Sequence, residues 1–423
     1  MSVLTRSCCL PTSLRSLHRL RRPQSLNFRL IHHATPQKTV VEQYLLDHIK
    51  ATGPLPISTY MQQCLSHPTH GYYMNPENKV FGSRGDFITS PEISQVFGEL
   101  IAIWCLGQYN SAGTDVPIRI IELGPGKGTL MADILRVFSR LIPDKTKPIS
   151  VHLVETSPTM RATQKANIIS GTNVQVHWHT SIGEILPRST EYTMLVAHEF
   201  FDALPIHILQ KTDTGAWHEV LVASNTEENG QAEVTSNETA GRPLSFRRVL
   251  APRPSAVSHV LGHSSLRFKD LPVENSNAPI GGCGLIIDYG EDHAFGDSFR
   301  AFRNHKIVDI FHEPGLCDLT ANVDFAYLKE AMSDLVSTHG PMPQGPFLNQ
   351  LGLPLRLQGM LREARTSERR KEIQSAAERL VDPMGMGKEY QVLGIANKPE
   401  RTDPSYLYAY PFPDSDPKEK PGT

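Results

Sequence analysis

The chain predicts an α/β fold: an open, doubly wound, mainly parallel sheet, preceded by a helical region and interrupted by inserted segments. Two observations predict it. The stretch Ile118-Arg119-Ile120-Ile121-Glu122-Leu123-Gly124-Pro125-Gly126-Lys127-Gly128-Thr129 runs from an apolar, β-branched segment into three glycines at alternate positions. A helical pattern follows at once, with Leu130, Ile134, Leu135 and Phe138 recurring on one face. The second observation is alternation. Strand 118–123, helix 129–140, strand 149–155, helix 158–169, strand 174–178, a short helix near 182–186 and strand 193–198 succeed one another, as parallel strands joined by helices require.

Taken in order, residues 1–36 are expected to be a leader. Arg6, Arg15, Arg19, Arg21, Arg22, Arg29 and Lys38 precede the first acid, Glu42. Leu10, Leu14 and Leu17 alternate with these arginines, and no continuous apolar segment of the secretory kind is present. An Arg-, Ser- and Leu-rich start without acids is the pattern of a mitochondrial transit peptide. The whole chain has 42 basic and 44 acidic residues, so removing those seven cations leaves an acidic body. That balance disfavours non-specific nucleic-acid binding. No run approaches the ~18 apolar residues of a membrane span, so stable membrane insertion is not expected. A homodimer is neither required nor forbidden. The 423 residues are 39% apolar and 20% charged, an ordinary globular composition with length for one large domain and additions. Cys64, Cys105, Cys283 and Cys317, with Cys8 and Cys9 in the leader, show no C-x-x-C spacing. They read as buried free thiols, and no metal is expected.

Residues 37–117 form an N-terminal helical region. Segments 39–50 and 58–65 read as helices, and His67-Pro68-Thr69-His70-Gly71-Tyr72-Tyr73 as a turn-rich aromatic loop. Ser90 is expected to cap a helix with Pro91 at its first position and Glu92 in its first turn. Ile93, Val96, Phe97, Leu100, Ile101 and Trp104 make its buried stripe. The glycine-kinked loop 82–90 ahead of it is a candidate to close over a ligand.

The main domain is expected over 118–396. After strand 193–198 comes His198-Glu199-Phe200-Phe201-Asp202-Ala203-Leu204-Pro205. Segments 206–210 and 217–222 form a hairpin about Thr212-Asp213-Thr214-Gly215, and 224–243 is a polar loop. Leu285-Ile286-Ile287 is a buried strand ending at Asp288-Tyr289-Gly290. Residues 299–310 are strand-like, a helix runs from about 323 to 332, and 351–380 is largely helical. Asp382-Pro383-Met384-Gly385-Met386-Gly387 breaks it, 390–395 is a last strand, and 397–423 is a loose tail.

The glycine turn restricts the ligand. A dinucleotide fingerprint is G-x-G-x-x-G, whereas here Thr129 stands where the last glycine belongs, and no P-loop pattern fits. Glu122 closes the strand beside the ligand, where a carboxylate repels a diphosphate but suits a cation. S-adenosylmethionine carries an ammonium and a sulfonium and no phosphate. Gly124, Gly126 and Gly128 let its nucleoside approach the backbone, and Glu155, ending the next strand, is placed to accept both ribose hydroxyls. The rival reading is a plain strand-to-helix turn with incidental acids. Further along the same edge, Glu199 and Asp202 with two aromatics suit a planar cation such as a guanidinium.

These segments resemble one family as a set. Gly85-Asp86-Phe87-Ile88-Thr89-Ser90-Pro91-Glu92-Ile93-Ser94, Glu122 to Met131, Val154-Glu155-Thr156-Ser157-Pro158, His198 to Pro205, Asp288-Tyr289-Gly290 and Pro314-Gly315 to Asp324 occur in order over nearly the whole mature chain. The chain is similar to the MidA-like mitochondrial protein arginine methyltransferases that assist assembly of respiratory complex I. Bacterial relatives carry Asn where this chain has His198. The resemblance implies a class I S-adenosylmethionine-dependent methyltransferase fold with a Rossmann-like, mainly parallel seven-stranded sheet, acting in the mitochondrial matrix. It also implies symmetric dimethylation of an arginine on a core matrix-arm subunit of complex I. Glu122, Gly124, Gly126, Gly128 and Glu155 are then expected to hold the cofactor, and Glu199 and Asp202 to orient the guanidinium and take its proton. A binding-only assembly chaperone and a small-molecule methyltransferase are the alternatives. An NAD(P)-dependent oxidoreductase is disfavoured by the glycine spacing and by Glu122.

Overall fold

β1 (Ile118–Leu123) is buried at every position, as a strand flanked on both sides and covered on both faces must be. The computed structural model describes residues 37–78, 80, 88–113, 115–142, 144, 146–169, 174–225, 244–263, 281–397 and 410–412. The expected leader, most of the 82–90 and 224–243 loops and nearly all of the tail lie outside those residues. From Lys38 onward the chain packs as one unit.

Around β1 the sheet is completed by β2 (Ile149–Val154), β3 (Gln175–His179), β4 (Tyr192–His198), β5 (Gly282–Glu291), β6 (Ser337–Pro343) and β7 (Tyr390–Ala396). Their spatial order is β6-β7-β5-β4-β1-β2-β3, with the two-residue strand Val323–Asp324 added beside the end of β5. β7 runs antiparallel to both neighbours, and the pairings among β1 to β5 are parallel. The chain winds outward through β2 and β3, then returns to the other side of β1. That reversal opens a crevice at the carboxyl ends of β1 and β4. Leu123 lies opposite Val154 on one side and Ala197 on the other, which brings Gly124, Glu155 and His198 to one level.

The N-terminal helices are α1 (Val40–Thr52), α2 (Ile57–Ser66), α3 (Ser90–Ile93) and α4 (Gln95–Ser111). The expected single helix from Ser90 is therefore two. Ser94 takes an extended conformation and its hydroxyl accepts from the Val96 N–H, capping a new helix. Thr89, not Ser90, precedes α3, and the Ser90 hydroxyl instead donates to Gln344 at 3.3 Å. The predicted apolar stripe survives on α4, where Val96, Phe97, Leu100, Ile101 and Trp104 pack on the sheet with α5 (Thr129–Leu141). Glu99 of α4 accepts two hydrogen bonds from Arg356, at 2.7 and 3.1 Å, and lies 3.3 Å from Arg136 of α5. This network ties α4 and α5 to the helix Leu353–Glu363.

A second core gathers α1, α2 and two small antiparallel sheets. One contains the expected hairpin, Leu209–Lys211 with Trp217–Ser224, joined by Leu55–Pro56 and Phe246–Leu250. The other joins Arg300–Arg303, Lys306–Val308 and Asp318–Thr320. Tyr60 donates to the Ile310 carbonyl at 2.7 Å inside this core. Cys64, Cys105, Cys283 and Cys317 are buried and take part in no disulfide. Neither β6 nor the helix Gln344–Gln350 after it is visible in the sequence pattern, because β6 contains Gly340 and Pro341 and lacks alternation.

α6 (Pro158–Ile169) crosses close to the start of α5. Gly128 has φ +80°, and a Cβ there would lie 2.9 Å from Ile168 Cδ1 and 3.4 Å from Gln164 Cα. Gly128→Ala is accordingly expected to cost about 1–3 kcal/mol through backbone strain and overlap. Thermal unfolding measures this; an unchanged melting temperature would show that α6 yields freely.

Candidate active site

A cavity of about 1380 Å³ opens between the carboxyl edge of the sheet and the antiparallel lobe. Of the sequence-predicted residues, Glu122, Gly124, Gly126, Glu155, Glu199 and Asp202 line it. Gly128 does not; its lack of a side chain serves the contact with α6. Gly124 and Gly126 have φ of +61° and +50°, conformations that favour glycine. A Cβ on Gly124 would come within 2.8 Å of the Phe200 ring. Lys127, between them and α5, is ion-paired with Glu92 at 3.0 Å and pins α3 to the turn.

Glu122 is 3% exposed, and its Oε2 has no hydrogen-bond partner among the described residues. Burial without a cation pushes its carboxyl up to about 8. The group is neutral at rest and gains a partner only when something positive enters. Glu155 is held differently. Its Oε1 accepts from the Ser157 N–H at 2.7 Å, and its Oε2 from Gln164 at 3.1 Å. Its pKa is also raised by burial, against those bonds.

Gln164 carries no signal in the sequence, being a neutral amide on a helix. It is nevertheless fully buried, and its Nε2 also donates to the Gly126 carbonyl at 2.8 Å. Trp178 of β3 donates to its Oε1 at 2.9 Å, which fixes the amide. One side chain thus locks the glycine turn to the acid of the next strand.

On the other side of the crevice, Glu199 occupies the left-handed region with φ +48°. Asp288, completely buried, explains how the following loop is held. Its Oδ2 accepts from the Phe201 and Asp202 N–H groups at 3.0 and 3.3 Å. Tyr390 donates to Glu199 Oε1 at 3.1 Å. Asp202 Oδ2 accepts from the Tyr289 hydroxyl and from Thr320, the latter at 3.1 Å, while its Oδ1 has no partner among the described residues. Burial and the neighbouring Asp202 raise the Glu199 carboxyl to about 8; burial also raises Asp202. Arg300 lies over the Tyr289 ring, its guanidinium carbon 5.0 Å from the centroid, and donates to Asn322 at 2.7 Å. His198 is driven down to about 3 by burial and stays neutral. Phe200 and Phe201 both pack against the apolar cluster with Ile286 and Phe325, and of the two only Phe200 also lines the cavity.

Comparison with known proteins identifies what such a cavity holds. A family described as "Putative S-adenosyl-L-methionine-dependent methyltransferase" matches residues 100–342. The mitochondrial protein arginine methyltransferase NDUFAF7 of Danio rerio is 37% identical, over 91% of this chain and 94% of its own length. The Homo sapiens protein of that name is 33% identical, over 84% and 83%. The chain belongs to this family of S-adenosyl-L-methionine-dependent methyltransferases. A Burkholderia thailandensis protein solved with S-adenosyl-homocysteine shares the fold, with TM-score 0.63 and 21% identity, over 84% of this chain and 92% of that one. The methyl donor read from the glycine turn is the cofactor of the family, and the relatives are named mitochondrial. No helix among the described residues is long and apolar enough to cross a membrane.

The residues present fit S-adenosylmethionine: an unpartnered buried carboxylate beside two glycines with positive φ. Glu122→Gln removes the charge but keeps the shape. Donor affinity, read by calorimetry, is expected to fall about tenfold or more, as loss of a charged hydrogen bond implies. The empty variant should also melt higher than the wild type at pH 8. The raised pKa means that stability from the protonated form is full below about 4.5 and is lost as pH rises through about 8. Equal affinities would remove Glu122 from the cofactor site.

Proposed function

We propose that this enzyme methylates an arginine of a protein substrate, and that the substrate is a core matrix-arm subunit of respiratory complex I, dimethylated symmetrically during assembly. The observation that carries the arginine reading is the acid pair, Glu199 and Asp202, in the cofactor's own cavity with Asp202 Oδ1 unpartnered. The relatives named as protein arginine methyltransferases support it, and the complex I assignment follows the resemblance to assembly factors.

In this reading S-adenosylmethionine, when bound, supplies an electrophilic methyl group on a sulfonium. Glu122, Gly124, Gly126 and Glu155 hold it, and Gln164 keeps Gly126 and Glu155 in register. Gly128 contributes by seating α6. The protein's main contribution is positioning, since holding two reactants in line replaces a large entropy cost. Glu199 and Asp202 receive the guanidinium as carboxylates, with Tyr390 and Tyr289 fixing their orientation through hydrogen bonds. A guanidinium stays protonated in water, with pKa above ~12. Its charge favours the ionised form of the two acids, and one carboxylate then takes the proton that the nitrogen loses when it is alkylated.

The test is incubation of the mature protein with labelled donor and the matrix-arm subunit, with mapping of the modified residue. Label on arginine is expected. KM for the protein substrate should fall as pH rises towards 8, because Glu199 must ionise to receive the cation. Glu199→Gln should flatten that profile, and Asp202→Asn should lower kcat/KM by roughly 100-fold or more. If both variants fold and turn over normally, the roles given to the two acids are wrong.

A further inference from the structure

The cavity changes character from its inner wall to its mouth. Inside are buried acids: Glu122 is 3% exposed and Asp202 7%. At the mouth stand large apolar side chains in water. Leu204, Ile307 and Met384 are 37%, 69% and 88% exposed, and all three line the same cavity. They come from separate parts of the chain. Leu204 follows β4, and Ile307 belongs to the hairpin Arg300–Arg303 with Lys306–Val308. Met384 sits in the break between the helix Ser367–Val381 and β7. Phe302, Pro383 and Met386 continue the surface.

Single exposed apolar residues need no explanation, but several converging on one opening mark a binding surface. A free arginine would occupy the inner acids and leave this rim in water. A polypeptide would not, because the residues either side of the arginine must leave the cavity across it. The charged residues that line the cavity near these side chains in the chain, Glu291, Arg300, Arg379, Lys388 and Glu389, carry both signs, so the shared character of the rim is apolar.

We propose that the rim docks the residues flanking the target arginine, so that the enzyme selects an arginine with apolar neighbours in a polypeptide. This rests on the reading of the protein as an arginine methyltransferase. The occupant is fixed by continuity: the rim is the outer part of the cavity whose acids suit the guanidinium. Contacts with the flanks would be kept through methyl transfer and would therefore appear in kcat/KM.

The test uses peptides with one central arginine, flanked on both sides by leucine, by serine or by glutamate, and labelled donor. The leucine-flanked peptide is expected to exceed both the serine-flanked and the glutamate-flanked one in kcat/KM by roughly tenfold or more. In the double variant Ile307→Ser with Met384→Ser this ratio should fall towards one, while calorimetric affinity for the donor stays at the wild-type value. Equal methylation of all peptides, or full discrimination by the double variant, overturns the rim proposal and leaves arginine methylation standing. Methylation of none, by protein that binds the donor, overturns both.

Discussion

The structure turns on carboxylates buried at one sheet edge and held in no ion pair among the described residues. Glu122 has no partner for Oε2, and Asp202 none for Oδ1, among the described residues. Leaving a charge in that state is costly, so burial raises both carboxyls, that of Glu122 to about 8. A diphosphate beside Glu122 would meet a carboxylate, whereas an ammonium converts the same acid into an ion pair.

The rest of the fold holds those acids at one level. Register between β1, β2 and β4 aligns their ends, and the reversal of winding separates the helices that would otherwise cover them. Gln164 spans the glycine turn and Glu155, and Asp288 grips the loop that carries Asp202. Glu199 is kept in an unfavourable backbone conformation by the same surroundings. Removing either anchor would leave the acids present but misplaced, which is why a neutral amide and a fully buried aspartate belong to the functional description.

Much of this was legible from local pattern. The central strand, glycine turn and helix carry strong short-range signals, and the two strand-end acids follow from the strand boundaries. What escaped depended on contacts distant in the chain. Ser90 and Ser94 are equally good caps by residue type, and tertiary packing chose Ser94. Gly128 shares the spacing of Gly124 and Gly126 but answers to Ile168, a contact invisible before α6 is placed. Phe200 and Phe201 are adjacent and chemically alike, yet only the fold decides which faces the cavity. β6 is specified by pairing with β7 rather than by alternation.

The central claim is that Glu122 is neutral in the empty protein and ionises to receive a cation. Calorimetric titration with S-adenosylmethionine near pH 7, repeated in buffers of different ionisation enthalpy, counts the protons exchanged. Glu122 at about 8 predicts release of nearly one proton on binding the donor, little on binding uncharged adenosine, and loss of that release in Glu122→Gln. Binding of the donor with no proton released, or with the same release in Glu122→Gln, would contradict the account.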